Sequence, residues 1–238
     1  ALGYTGWDKT SYYVTLDDGT KVAGSLCVYQ ENGSQQTDFL NINNINARFN
    51  STGINFQHFD TPFYCTRVFN YDGYNFLCNS EKPVNALSQS TLWITGTSQD
   101  GFNHFSGDII MVDFDAVRHD FQPGPVSLNY DNRFKTKYVR IWKIDRGMIA
   151  NHVNNYTRPG YDIPDEILTW PGNGDSEYGE AEQLAPYYDK NENGIYEPFL
   201  GDYPLIRGDQ AIFFILNDDI EHSQSFGMRM KAEVHAMA

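Results

Sequence analysis

The chain has 238 residues, with 31 Asp and Glu against 17 Lys and Arg, a formal net charge of −14. That balance excludes a nucleic-acid partner, which needs a basic face, and it suits solubility and divalent cations. The length is enough for one large β domain or two small ones with a core that needs no staple, and no apolar run reaches the roughly 18 residues of a membrane span.

Aromatic residues make up 15% of the chain, and Asn and Gly are frequent, a mixture that suits turn-rich β structure. Cys27, Cys65 and Cys78 form no C-x-x-C, so zinc-ribbon, thioredoxin and haem-attachment readings fail. Cys65 and Cys78 are placed to bridge a hairpin in an exported protein; three unpaired thiols fit the spacing equally well. No signal peptide is legible. The start at Ala1-Leu2-Gly3, without Met, fits a processed export product or a shortened chain.

The pattern predicts a mainly β fold: an antiparallel, sandwich-like domain with one or two short helices and a long calcium-stabilised loop region. Residues 1–37 are expected as an N-terminal hairpin extension, and 38–238 as the β-rich domain. Two β-rich runs within 11–30 flank Asp17-Asp18-Gly19, a hairpin turn signal. Residues 38–57 alternate apolar residues with Asn, then slip register at Asn43-Asn44, which predicts one strand with a bulge. A second hairpin is expected over 63–78 around Tyr71-Asp72-Gly73, and a short buried strand over 91–96. Residues 121–125, with Pro123 and Pro125 around Gly124, predict a turn or an exposed crossing.

Asp145 can cap a helix over 146–153, with Met148, Ile149 and Val153 as its apolar face and Gly147 as its weak point. A single helical turn is expected at 164–168, where Pro164 suits a helix start. Residues 171–210 look irregular, odd inside a compact domain unless something ties them together. The unbroken apolar run 211–216 predicts a strand buried on both faces. Residues 226–234 alternate as a half-buried strand, and the pattern runs to Ala238 with no closing turn, so the domain is expected to continue.

One stretch has site-specific spacing. Asp189, Asn191 and Asn193 stand at positions 1, 3 and 5 of an EF-hand-type loop, and Gly194 follows at position 6, where the turn is sharp. The Ile195 carbonyl falls at position 7 and Glu197 at position 9; Asp202, beyond the next turn, is expected to close the shell, with Asp175 as a further candidate. Position 12 is Leu200 rather than a bidentate Glu, and no long helices flank the loop. The expectation is therefore a structural Ca²⁺ loop over 189–202, not a sensor that opens. An Asx-rich turn without a metal is the competing reading.

Several blocks together resemble a known group. They include Leu40-Asn41-Ile42-Asn43-Asn44-Ile45-Asn46-Ala47-Arg48, Asp120-Phe121-Gln122-Pro123-Gly124-Pro125, the 189–198 loop, Gly201-Asp202-Tyr203-Pro204, Ile206-Arg207-Gly208-Asp209-Gln210 and Glu233-Val234-His235-Ala236-Met237-Ala238. Across 38–238 the chain resembles the N-terminal region of large secreted surface proteins of Bacteroidota, of the type IX secretion class that ends in a C-terminal sorting domain. The resemblance implies export, an extracellular or cell-surface location and further domains downstream, with no established activity. That group usually carries Asp where this chain has Asn193, a change that lowers the charge of the loop.

No catalytic constellation is legible. His58, His104, His119, His152, His222 and His235 are scattered without H-E-x-x-H spacing, and nucleophile-elbow, Walker A and dinucleotide-binding patterns are absent. The expected function is a calcium-stabilised structural or adhesive surface module. Its partners are other domains of the same polypeptide or other copies of itself, in a fibre or sheath. The alternative is a carbohydrate-binding module or polysaccharide-active domain. For sugar stacking the candidates are Trp7, Trp93, Trp142 and Trp170; Trp93 and Trp142 are expected in the core and Trp170 exposed.

Overall fold

The structure, a computed structural model, describes residues 7–15, 21–29, 36–56, 74–76, 84–87, 90–99, 101–107, 109–110, 117–118, 120–219 and 231–238. In chain order the first strands are β1 (Trp7–Thr15), β2 (Lys21–Tyr29), β3 (Thr37–Leu40), β4 (Ile45–Asn50), β5 (Tyr74–Phe76), β6 (Val84–Leu87), β7 (Trp93–Thr97) and β8 (Asn103–Gly107). Then come β9 (Ile109–Ile110), β10 (Val117–Arg118), β11 (Gln122–Pro123), α1 (Asn132–Tyr138), β12 (Trp142–Asp145), α2 (Arg146–Asn155) and α3 (Asp165–Leu168). The last strands are β13 (Tyr187–Tyr188), β14 (Tyr203–Pro204), β15 (Gln210–Asn217) and β16 (Glu233–Met237). The elements are thus mostly strands, with three short α-helices among the described residues, as a mainly β reading requires.

β15 is the hub, and its sequence explains why. Every residue from Ala211 to Asn217 is buried, so both faces and both edges must be covered. β16 pairs with one edge from Phe213↔Met237 to Asn217↔Glu233. The other edge is shared end to end: β12 covers its first half (Trp142↔Phe213) and β11 its second (Pro123↔Leu216), all antiparallel. Side chains alternate between two cores. Phe213 and Ile215 join Phe134, Tyr138, Trp142, Ile144, Ile167, Trp170 and Leu184. Ile212, Phe214 and Leu216 join Ala47, Phe49, Phe121 and Ile141. Each such large side chain stabilises the fold by about 1.5–3 kcal/mol when fully buried. The first core has the helices and the irregular region around it; the second is built against β4, with Phe49 and Phe214 ring centroids 6.4 Å apart.

Several expectations need correction. Residues 38–57 are not one bulged strand. β3 and β4 form a hairpin, with Leu40↔Ala47 to Thr37↔Asn50 in register. The slip at Asn43-Asn44 is its turn: Asn43 has φ 55°, a left-handed conformation that Asn tolerates better than most residues, and the Ile45 amide donates to the Ile42 carbonyl at 3.0 Å. β4 continues into a sheet in the order β3-β4-β5-β6. The first strand and turn of the hairpin expected at 63–78 lie outside the described residues. β1 and β2 pair as expected, Tyr13 opposite Ala23, beginning earlier at Trp7. β16 begins at Glu233, and most of the stretch expected as its start lies outside the described residues.

Residues 121–125 are buried, apart from the half-buried Gln122, rather than an exposed crossing. Pro123 lacks an amide hydrogen, yet the segment is still knitted in. The Gly124 amide donates to the Ile215 carbonyl at 2.8 Å, and Asn217 Nδ2 donates to the Gly124 and Pro125 carbonyls at 2.8 and 2.9 Å. Gly124 has φ 102°, a region that side chains disfavour.

The tryptophans also sort differently. Trp142 is buried, as expected. Trp93, expected in the core, is 63% exposed, because Ile94 takes the inward position of β7 and period-two alternation turns Trp93 out. Trp170, expected to be exposed, is 3% exposed: its ring lies 4.9 Å from that of Phe213, and its indole N–H donates to the Pro186 carbonyl at 3.2 Å.

α2 starts where the sequence places it, with Asp145 Oδ1 accepting the Met148 amide hydrogen at 2.7 Å. Met148 and Ile149 pack on the first core, but Val153 is exposed, and His152 is the buried residue of the helix. α1 was not legible; Asp131 caps it at the Phe134 amide, 2.9 Å away, and it buries Phe134 and Tyr138.

Candidate metal centre

Residues 171–210 are largely irregular, as the composition predicts, and side chains replace regular structure in holding them. Asn173 spans the region: its Oδ1 accepts from the Tyr196 amide at 2.7 Å, and its Nδ2 donates to the Glu182 and Gly194 carbonyls, each at 3.0 Å. The Tyr196 hydroxyl donates to the Ile167 carbonyl at 2.7 Å. Such bonds satisfy a backbone that, apart from the short β13–β14 pair, has little ladder pairing.

Within this frame the loop curls around its own first residue. Asp189 Oδ2 accepts the Gly194 amide hydrogen at 2.6 Å. Gly194, at φ 78°, supplies the sharp turn that brings its N–H inward. That amide, with those of Asn193, Glu192 and Asn191 adding to it and burial opposing, holds the Asp189 carboxyl below its ordinary value. The second oxygen, Oδ1, is buried and has no hydrogen-bond partner.

The other expected ligands are drawn together. Asn191 Oδ1 accepts from the Asn193 amide at 3.2 Å, and Asn193 Oδ1 from the Ile195 amide at 2.8 Å. The amide groups of both side chains converge on Glu197 Oε2, at 3.4 Å from Asn191 and 2.7 Å from Asn193. The Ile195 side chain is exposed.

Asp202 has a different task from the others. It is fully buried, and each carboxylate oxygen accepts a backbone hydrogen: Oδ1 from Lys190 at 3.0 Å, Oδ2 from Glu197 at 2.8 Å. It therefore ties the two ends of the loop together. Its carbonyl meets His152 Nε2 at 3.1 Å. Burial pushes the His152 imidazole down, while the Asp202 and Pro198 carbonyls pull it up. Asp175 is engaged elsewhere, capping the turn Ser176–Tyr178 and pairing with Arg133 at 2.8 Å.

The residues present fit a hard cation. The donors are carboxylate, amide and carbonyl oxygens, the set that Ca²⁺ prefers. Among the described residues no three His, Cys, Asp or Glu side chains group as a metal cluster, so carboxylates alone do not make a site here and amide and carbonyl oxygens would have to contribute. The buried, undonated Asp189 Oδ1 is the feature that hydrogen bonding within the loop leaves unexplained.

Asn173 and His152 were not legible as parts of the site. Asn173 gave no local signal. His152 lies four residues after Met148 on one helical face, a spacing that marks it as inward-facing but not what it would touch.

Comparison with known families, with curated proteins and with solved structures finds no match.

Proposed function

We propose that the chain is a calcium-stabilised structural or adhesive module of a secreted bacterial surface protein. The observation that carries this reading is the Asp189 Oδ1 atom, buried with no donor at the first position of a calcium-loop spacing. Asp189 would hold the ion together with Asn191, Asn193, the Ile195 carbonyl and Glu197. Asp202 would hold the two ends of the loop in place while completing the closure from below. Calcium would supply a multivalent cross-link for a region that has few backbone ladders.

The acidic composition, the mainly β architecture and the resemblance to Bacteroidota surface proteins support an extracellular or cell-surface setting. So does calcium chemistry, because a site with Kd of about 10⁻⁴ M or weaker is filled where calcium is plentiful. The stacking of β4 against the β15 sheet through Phe49 and Phe214 supports a sandwich-like layering. Partners of the module would be neighbouring domains or further copies of the chain, assembled as a fibre or sheath.

A carbohydrate-binding reading keeps one specific observation: Trp93 and Phe102 are both well exposed on the β7–β8 hairpin, where an aromatic face can meet a sugar.

The deciding experiment is a thermal melt in calcium and in chelator, repeated for Asp189→Ala. At a hundredfold excess of ligand over Kd, binding to the folded state alone adds about 2.7 kcal/mol. A calcium shift that Asp189→Ala removes supports the reading. No shift in the wild-type chain makes 189–202 an ordinary turn. Binding on a glycan array that Trp93→Ala abolishes would favour the carbohydrate reading.

A further inference from the structure

His152 is a buried polar side chain whose two ring nitrogens meet groups outside its own helix. Its ring is enclosed, with Tyr161 and Tyr156 centroids 5.9 and 6.1 Å away. Its Nε2 lies 3.1 Å from the Asp202 carbonyl oxygen. A carbonyl only accepts, so Nε2 carries the proton. Nδ1 is then the acceptor and faces the Tyr161 hydroxyl at 3.4 Å. An apolar residue would fill this space without the desolvation cost of an imidazole, but it would leave a buried carbonyl unpaired.

What that carbonyl belongs to gives the contact its reach. Asp202 is the residue whose carboxylate grips the Lys190 and Glu197 amides, one on each side of the 191–196 turn. A chain of bonds, buried at His152 and partly buried at the loop ends, therefore runs from α2 through His152 and Asp202 to both ends of the loop.

We propose that His152 is a positioning residue for the cation loop, fixing Asp202, and through it the Lys190 and Glu197 backbone, before an ion arrives. The role rests on the calcium reading for its ligand. It explains how a loop with few carboxylates could present its oxygens together, since donors held in place in advance do not have to be ordered on binding.

The test compares His152→Gln with His152→Met in the whole chain. Gln keeps an N–H donor at similar reach, and Met fills similar volume without one. Calcium titration by calorimetry should give His152→Met a Kd raised roughly tenfold, about 1.4 kcal/mol, with His152→Gln within about threefold of wild type. Amide hydrogen exchange in calcium-free protein is the second readout. Lys190 and Glu197 should be protected in the wild type, exposed sooner in His152→Met and protected again in His152→Gln, while Gly124 stays unchanged in all three. Equal calcium affinity in wild type and His152→Met overturns the positioning role and leaves the calcium reading standing. A wild-type chain that takes up no calcium overturns the calcium reading and this proposal with it. Should neither variant fold, unprotected Lys190 and Glu197 amides in the wild-type chain overturn the proposal, and slow exchange there supports it.

Discussion

Asp189 gives one carboxylate oxygen to the Gly194 amide at 2.6 Å and keeps the other buried with no hydrogen-bond partner. The amide contacts favour the anion, so the folded pKa lies below the ordinary value of 3.8. The contribution of this carboxylate is then fully present above that value and is lost as pH falls through the depressed one. The calcium-dependent melt shift should hold from pH 7 down to about pH 4 and collapse below it. Melts with calcium and with chelator across that range check the expectation. A shift already gone at pH 6 would assign the ion to some other group.

Trp170 packs against Phe213 and donates its indole hydrogen to Pro186. Trp170→Ala should cost about 3–5 kcal/mol from the cavity it leaves. Trp170→Phe should cost less, about 1–3 kcal/mol, mainly from the Pro186 carbonyl left without its donor. Urea unfolding of the two variants separates packing from hydrogen bonding.

At Gly124 an added Cβ would lie 2.5 Å from the Phe134 Cζ and 2.9 Å from the Tyr138 Cβ, at φ 102°. Gly124→Ala combines backbone strain with overpacking and should destabilise by about 2–4 kcal/mol. Gly194→Ala meets nothing within 4 Å, so only its φ of 78° resists. A loss of about 1–2 kcal/mol is expected there. Equal losses at the two sites would contradict the crowding described at Gly124.

Tyr138 and Tyr196 are held protonated. Burial is the largest cause for both; for Tyr138 the hydrogen bond to Glu180 and that carboxylate's charge add to it, and for Tyr196 the charge of Asp202 does. Both phenols are raised above 10.0, so their contribution is fully present below that pH and falls away as pH rises beyond it. An absorbance titration of native protein should show these two phenols ionising only with unfolding. Early, reversible ionisation of every tyrosine would contradict the burial.

The elements that read clearly from sequence are those whose cause is local. The run 211–216 could only be a strand covered on both faces, and Asp145 stands directly before the helix it caps. The oxygen spacing of 189–197 is likewise local; in the structure the Asn191 and Asn193 side chains meet Glu197, while Asp189 bonds to the Gly194 amide. The features that did not read clearly depend on distant partners. Trp170 looks exposed between Thr169 and Pro171, and only Phe213 and Pro186 reveal its burial. Asn43-Asn44 carries the same slip in alternation whether it is a bulge or a turn, and the choice lies in where β3 and β4 pair. His152 has no local mark of its bond to a residue 50 positions away.

The crowded position of β15 also dictates an order of events during synthesis. Its partners lie at 122–123, 142–145 and 233–237, so the first two are already waiting when 210–217 emerge from the ribosome. The remaining edge stays open until 233–238 arrive, when the Ala238 amide reaches the Ile212 carbonyl at 3.0 Å. For that interval a strand buried from Ala211 to Asn217 in the finished fold carries a bare edge, the stage at which a nascent chain most readily pairs with a neighbour. A truncation that removes 233–238 would make that interval permanent.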